Sequence, residues 1–544
     1  MLDETKNRTP LIIGVLLISA IIAGWTLSAR SFDNHECFVS VTAREMLQNS
    51  DWIMPTFNDQ PRLQKTPLSY WLVAAIAKVS GGSTPLTTGK VDEFTARLPS
   101  AVFAVLSVCA IIYFLKQWLS FRTAIVCAGV WATTLGYVRY AHNARAEMAM
   151  TFFVIVCFLS FYSAIIEQSR RRQIVYMLAF WVSFGLANLA KGPAPIPLVL
   201  APLFVYVAIF RQWKKIPRLL PIAGTVIFLA IVLPWPLAIA HRVNWDLTLW
   251  KQEFIDRFFG EYAKGDYPIY YYFLIMFKYA PPWVVFVPIA LAAPFYRIWQ
   301  NKLGVMRYFW FWFVVDFVFL TISGGKRQNY LLPLMPALAI LTGIVLDDMI
   351  FERRAFTAKQ ARWVLWIHIA AAFLISAGMV IYSGCAARRF LPAAIATACV
   401  SIAGAAVIGL LFANKRPGLA CSWLFVWLVT LIMIVFVGFV NPLDDNASAR
   451  RFAIAVSKMV PSTDKLVAYK NVSGKFVNYF GRPVPEVPTE SEVDSFYQQG
   501  CWITAFGGDM EELLKTGRFE LVFTGQIIER YGRETTTGGL FHRQ

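Results

Sequence analysis

"PLIIGVLLISAIIAGWTLSARSFDNHECFVS" (residues 10–40) decides how the rest of the chain is read. Residues 10–29 are an apolar run close to the roughly 20 residues a helix needs to cross a hydrocarbon core about 30 Å thick. The run is long for the apolar part of a signal peptide, so an uncleaved anchor is expected. Asp33, His35 and Glu36 then crowd four positions where a membrane helix should end. A solvated loop needs no such cluster, and lipid would not readily hold one. The run is therefore a span, and the cluster stands at its mouth.

The same kind of run recurs along the chain. After 10–29, runs fall at 98–115, 122–139, 148–166, 174–190, 193–210, 219–240, 278–296, 306–322, 330–347, 363–383, 391–413 and 419–440, about thirteen spans in all. The composition agrees, with 57% hydrophobic residues, 15% charged residues and a mean hydropathy of +0.52. A soluble chain of 544 residues would carry more charge. The shorter alternating segments of an outer-membrane barrel are not seen. The fold class is thus a polytopic α-helical membrane protein.

A net charge of +18 could point to nucleic acid, but the cations lie in short connectors: "QSRRRQ" (168–173), "RQWKKIPR" (211–218), "RIWQNK" (297–302), "ERRAFTAKQAR" (352–362) and "NKRP" (414–417). Such connectors follow the positive-inside rule, whereas a nucleic-acid surface is a patch on a folded domain. No nucleic-acid partner is expected. Placing the N-terminus in the cytoplasm puts all five connectors there. An odd number of spans then leaves residues 441–544 outside. The eight cysteines are scattered without a C-x-x-C, so neither a zinc ribbon nor a thioredoxin motif is supported. Pairing among Cys37, Cys385 and Cys501 stays open.

Two stretches are not spans. Residues 30–96 form a long outer loop with helical pieces near 36–48 and 67–79, the second too short to cross and read as interfacial. Residues 441–544 form a small α/β domain. Its strands are "KLVAYK", "CWITAFGG" and "FELVFTGQ", and its helices lie at 445–459, 491–499 and 509–517. "GGDMEEL" lacks the spacing of a phosphate-binding glycine loop. The expected domains are 1–440, with 30–96 as its first outer loop, and 441–544.

On this topology the unusual polar residues gather on one face. They are Asp33, His35, Glu36, Lys65, Glu147 in "RYAHNARAEMAM", Lys191 in "NLAKGPAP", Arg257, and Lys326 with Arg327 in "SGGKRQNY". A charge at bilayer depth costs about 2.5–3.5 kcal/mol, so such groups tend to be paired or functional. Plainer readings stand beside this one. Lys65, Lys326 and Arg327 could snorkel to the interface. Glu147 could serve a helix N-terminus, and Asp33 and Glu36 could cap the 36–48 helix. Carboxylates and several cations at a membrane surface suit transfer of a sugar from a lipid phosphate. A carboxylate or imidazole takes the acceptor's proton. Lys and Arg hold the departing phosphate, at about 4 kcal/mol per pair at 4 Å and an effective dielectric near 20.

Residues 32–72, "FDNHECFVSVTAREMLQNSDWIMPTFNDQPRLQKTPLSYWL", resemble the first outer loop of the PMT-like GT-C membrane glycosyltransferases. These include bacterial lipid A aminoarabinose transferases and dolichyl-phosphate-mannose protein mannosyltransferases. "GLANLAKGPAPIPLVL" (185–200) is similar to the family's K-G-P segment, "YYYFLIMFKYAPPW" (270–283) to its aromatic stretch, and "SGGKRQNYLLPLMPALAIL" (323–341) to its S-x-x-K…Y segment. The resemblance implies a GT-C fold, a polyprenyl (undecaprenyl) phosphate sugar donor and single displacement with inversion. It places a monomeric enzyme in the bacterial inner membrane, acting on lipid A or another glycolipid at the periplasmic face. It places Lys65 on the donor phosphate, Glu147 at the position of a second acidic residue, and Lys191, Lys326 and Tyr330 in the cavity lining.

Two positions depart from the family. Its catalytic Asp falls on His35, so Asp33 is expected to be the base. His35 would have to be neutral beside two carboxylates that raise its pKa, and Glu36 is the rival. Gln64 stands where the aminoarabinose enzymes carry a metal-binding Glu, and an amide is a poor ligand by comparison. A divalent metal is therefore doubtful, and a different site built on Asp33, His35 and Glu36 stays open. The competing readings are a flippase for a lipid-linked saccharide, which would more often show internal repeats, an O-antigen ligase, and a protein O-glycosyltransferase of the same family.

Overall fold

The computed structural model describes residues 8–80, 91–246, 248–256, 267–440, 442, 449–529 and 534–542. Arg257, part of the expected outer loop and the start of the expected 445–459 helix lie outside them. Chain contacts divide the protein into two units. One holds Met1–Trp25, Leu63–Leu68 and Pro99–Val435, the other Thr26–Arg62, Ser69–Leu98 and Phe436–Gln544. The expected boundary at 440 is thus only half of the division, because most of the first loop packs with the C-terminal residues.

The first unit is helical. Every expected apolar run coincides with helix, and nine helices among the described residues are long and apolar enough to cross a membrane. The others are shorter or broken. Arg8–Gly24 and Pro195–Ile209 have 17 and 15 residues, or about 1.5 Å of rise for each. The run expected at 278–296 is interrupted after Tyr271–Tyr279 and resumes at Trp283, because Pro281 and Pro282 supply no backbone N–H between the two pieces.

The run expected at 122–139 bends by 62° between Phe121–Thr133 and Leu135–Ala141. Thr134 is extended there, and its hydroxyl accepts from the Tyr137 N–H at 3.4 Å. The Leu135 N–H released by the break donates to the Pro281 carbonyl at 2.8 Å. A helix can break at membrane depth only where its freed backbone groups find such partners.

Phe121–Thr133 also packs closely on Met335–Asp347. A Cβ on Gly343 would lie 2.5 Å from the Cys127 Cα, so only glycine admits this approach. At one end of the pair, Asp347 accepts from Arg122 at 2.7 Å and from Thr123 at 2.8 Å. Lys302 stands 3.7 Å from the same carboxylate. Aromatic rings fill the middle of the unit, with Phe158 stacked on Trp312 at 4.0 Å.

The second unit is built on a five-stranded sheet. Its strands are β3 (Leu466–Tyr469), β4 (Glu486–Val487), β5 (Trp502–Phe506), β6 (Leu521–Glu529) and β7 (Glu534–Phe541), in the order β4-β3-β5-β7-β6. β3 runs parallel to β4 and β5, whereas β7 is antiparallel to β5 and β6. The sequence reading found β3, β5 and part of β6, together with the helices now seen at Arg450–Met459, Glu490–Gln498 and Gly508–Lys515. It missed β4, β7 and the helix Gly474–Phe480.

Side-chain alternation in β3 explains the two cores. Leu466 and Ala468 join Phe452, Phe476, Phe480 and Val41 on one face. Val467 and Tyr469 join Val493, Ile503, Leu513 and Phe541 on the other. Val41 belongs to the loop helix Asn34–Gln48, which is why the loop groups with the sheet. Phe452 sits at the centre of its core, 5.7 Å from Phe476 and stacked on Phe523 at 5.8 Å. Phe452→Ala should cost about 3–5 kcal/mol. Limited proteolysis of the purified protein should then cut within 449–542 while the helices of the first unit stay resistant.

A two-residue hairpin follows the loop helix. β1 (Thr56–Phe57) and β2 (Gln60–Pro61) are joined by Asn58 and Asp59, with φ of 57° and 59°. Both positive angles match a type I′ turn, which Asn and Asp tolerate. Glu45 holds the turn, accepting from the Thr56 hydroxyl at 2.6 Å and the Asn58 N–H at 2.8 Å.

Candidate active site

The expected site residues fall into two clusters, one in each unit. In the second unit, Asp33 is the N-cap of Asn34–Gln48 and accepts from the backbone N–H groups of His35 and Glu36, both at 2.8 Å. The Glu36 carboxylate accepts in return from the Asp33 N–H at 2.9 Å, completing a capping box. Asp33 is half-buried, His35 is exposed and Glu36 is fully buried.

Glu36 is held much more tightly than a capping role requires. Arg97 Nε reaches its Oε1 at 2.8 Å and Arg97 Nη2 its Oε2 at 3.0 Å, while Arg30 stands at 3.3 Å. Arg97, itself fully buried, also donates to the carbonyls of Leu27, Arg30 and Ser31. A two-pronged Arg–carboxylate pair fixes orientation as well as charge. Burial alone would raise the Glu36 carboxyl. Arg30, Arg97 and their hydrogen bonds outweigh it and hold the group well below the usual carboxylate range. Such a carboxylate has little affinity for a proton, so Glu36 is suited to positioning the loop rather than to acting as a base.

In the first unit, Glu147 opens the helix Glu147–Ile166 and is 5% exposed. Its Oε1 accepts from Lys191 Nζ at 2.7 Å and from Asn329 Nδ2 at 2.6 Å. Its Oε2 is buried with no hydrogen-bond partner among the described residues. Lys191 ends the helix Arg170–Lys191, and its Nζ lies 5.6 Å from the centre of the Tyr330 ring. Gly192 follows at φ 70°, a conformation that favours glycine, and its N–H donates to Asn188 O and to Thr66 Oγ1. The K-G-P segment is thereby tied to the Q-K-T segment that carries Lys65.

Lys65 itself is ion-paired with Glu253. Lys326 is half-buried and Arg327 exposed, in the turn before Gln328–Leu334, the short helix that carries Asn329 and Tyr330. The Arg327 N–H donates to the Tyr272 hydroxyl at 3.2 Å.

Of the residues expected on one face, the structure pairs Glu147 with Lys191 beside Tyr330 and ties their segment through Thr66 to the one that bears Lys65. Sequence reading missed Asn329, Glu253 and Arg97. Arg97 had a signal, a lone charge at the edge of an apolar run, but the run was begun one residue too late. Lys191→Met would strand the Glu147 carboxylate among buried groups and should cost about 3–5 kcal/mol. Combining it with Glu147→Gln should restore most of that loss in a detergent-stability assay.

The described residues do not supply a ligand set for a divalent cation. Gln64 contributes one amide, whose Oε1 is buried without a hydrogen-bond partner among the described residues. Among the described residues no three His, Cys, Asp or Glu side chains come together as ligands.

The fold defines the class. The crystal structure of ArnT from Cupriavidus metallidurans bound to undecaprenyl phosphate superposes with a TM-score of 0.80, covering 98% of each chain at 19% identity. The archaeal oligosaccharyltransferase AglB from Archaeoglobus fulgidus, in complex with an inhibitory peptide and a dolichol-phosphate, gives 0.53, covering 93% of this chain and 70% of its own at 11% identity. The protein has the GT-C fold: a polytopic helical membrane unit with a small α/β unit.

Within that class the sequence is similar to the PMT-like branch. Residues 59–237 match the family described as dolichyl-phosphate-mannose-protein mannosyltransferase. The undecaprenyl phosphate-alpha-4-amino-4-deoxy-L-arabinose arabinosyl transferase 2 of Pseudomonas fluorescens (strain Pf0-1) is 24% identical over 62% of this chain and 59% of its own. The corresponding transferase of Erwinia tasmaniensis is 27% identical over 55% and 52%. The chain spans about half the length of the curated relatives it matches.

Proposed function

We propose that the protein is an integral-membrane glycosyltransferase. It moves a sugar from a polyprenyl phosphate, undecaprenyl phosphate in a bacterial inner membrane, to a hydroxyl or phosphate of lipid A or another glycolipid on the periplasmic face. The N-terminus is then cytoplasmic and residues 441–544 periplasmic, which places the five basic connectors on the inner side. The observation that carries the reading is the buried Glu147–Lys191–Asn329 constellation, tied through Gly192 and Thr66 to the segment that bears Lys65. Supporting it, relatives similar over 55–62% of the chain are undecaprenyl phosphate-alpha-4-amino-4-deoxy-L-arabinose arabinosyl transferases, and a protein of the same fold is seen with undecaprenyl phosphate.

In the proposed reaction the Asp33 carboxylate takes the acceptor's proton. The acceptor oxygen attacks the anomeric carbon from the face opposite the phosphate, and that carbon–oxygen bond breaks. The electron pair leaves with the polyprenyl phosphate, and the sugar's configuration inverts. Lys65 holds the phosphate as its charge grows, the kind of electrostatic term that is usually largest in catalysis. Lys191, aimed by Glu147 and set against Tyr330, supplies a second positive charge; Lys326 and Arg327 add to the field. His35, two residues after the base in the sequence, completes the acceptor-side cluster.

Purified protein given a radiolabelled polyprenyl-phosphate sugar and a glycolipid acceptor should release polyprenyl phosphate as labelled glycolipid appears. Lys65→Ala should lower kcat/KM about 100-fold. Release unchanged in Lys65→Ala would remove Lys65 from the phosphate site.

A further inference from the structure

The ion pair between Lys65 and Glu253 brings together residues 188 positions apart in the chain. It is not a chance surface contact, because the Glu253 side chain is only 8% exposed. Its own segment is anchored beside the lysine: Trp250 Nε1 donates to the Leu63 carbonyl at 2.7 Å, and the Trp250 ring stacks on Trp235 at 5.7 Å. Glu253 then sits in Lys251–Asp256, one turn of π-helix, a wider winding that frequently occurs at functional sites. Two tryptophan contacts therefore hold a carboxylate against the ammonium that the proposed reaction assigns to the donor phosphate.

We infer that Glu253 is an internal counter-ion that occupies Lys65 between turnovers, yields it to the lipid phosphate, and competes for it again when product must leave. The inference rests on the reading of Lys65 as the donor-phosphate cation. The competition is uneven in a useful direction. The donor is a phosphodiester with one negative charge, whereas the product is a phosphomonoester carrying about −1.5 to −2 near neutral pH. The spent carrier would thus grip Lys65 harder than the fresh donor does. A carboxylate tethered to the same ammonium counteracts that grip and favours exchange of product for donor.

The test is direct titration of undecaprenyl phosphate into the full-length protein in detergent micelles. Glu253→Gln and Glu253→Ala should each tighten binding about tenfold, and Lys65→Ala should weaken it. The double variant Lys65→Ala/Glu253→Gln should bind like Lys65→Ala alone. In turnover, Glu253→Gln should lower both KM for the donor and kcat, because product release slows. Unchanged or weaker binding in both Glu253 variants, with Lys65→Ala still weakened, overturns the inference and leaves the role of Lys65 intact. Equal tightening with and without Lys65 also overturns it. Parent-like binding by Lys65→Ala overturns the inference together with the reading beneath it.

Discussion

Asp33→Asn should abolish most sugar transfer, with a fall in kcat of about 100- to 10,000-fold, while the protein stays folded. The two effects separate because the proposed base is also a helix cap. As N-cap of Asn34–Gln48 its oxygen accepts from the N–H groups of His35 and Glu36. Asparagine caps about as well as aspartate, so the helix keeps its start. What is lost is basicity, and a general base contributes about 10²–10⁴-fold. Asp33→Ala removes the cap as well and should cost a further ~1 kcal/mol of stability. Near-parent activity in Asp33→Asn, measured as polyprenyl phosphate release, would move the base to another group.

The second large effect concerns folding rather than chemistry. Removing Glu36 leaves Arg97 buried with its charge unanswered, and breaking such a pair costs about 3–5 kcal/mol. Glu36→Ala should therefore loosen the unit built from the first loop and the C-terminal sheet, where Arg44 also donates to the carbonyls of Val477 and Asn478.

The same pair sets an acid limit. Because the folded Glu36 carboxyl lies well below its ordinary value of 4.5, its stabilisation is complete above about pH 4.5. It is lost progressively as the pH falls toward the folded value. Thermal stability of the parent should drop through that window, and that of Glu36→Gln, already lower, should depend less on pH there. A variant as stable as the parent at neutral pH would show that the Arg97 contacts do not hold the loop.

Much of the membrane unit was legible because its signal is local. A run of about 20 apolar residues reads as a span whatever its neighbours are, and all thirteen expected runs proved helical. The breaks were not legible. Thr134 bends one span by 62° only because the Pro281 carbonyl, far along the chain, waits for the Leu135 N–H. Lys65, Glu147, Lys191 and Tyr330 were found by motif, but no motif says that Glu147 bonds Asn329 in preference to Gln328, next to it in the sequence. Glu253 gave no sign at all, since nothing local to it shows that it meets Lys65, 188 positions away. The grouping of the first loop with the sheet failed for the same reason. Val41 packs with Phe452 and Phe476, and Glu93 accepts from Tyr479 at 2.9 Å, pairings more than 380 residues apart.

The proposed reaction moves a sugar from a polyprenyl phosphate to an acceptor at the outer face. The measurement that meets it most directly is mass spectrometry of extracted lipids from three strains: one lacking the gene, one complemented with the parent protein, and one complemented with Asp33→Asn. The account predicts a glycolipid heavier by one sugar in the parent-complemented strain only. It also predicts that the polyprenyl-phosphate sugar accumulates in the other two. An unchanged glycolipid profile across all three strains would contradict transfer to a glycolipid, and full restoration by Asp33→Asn would contradict the role given to Asp33.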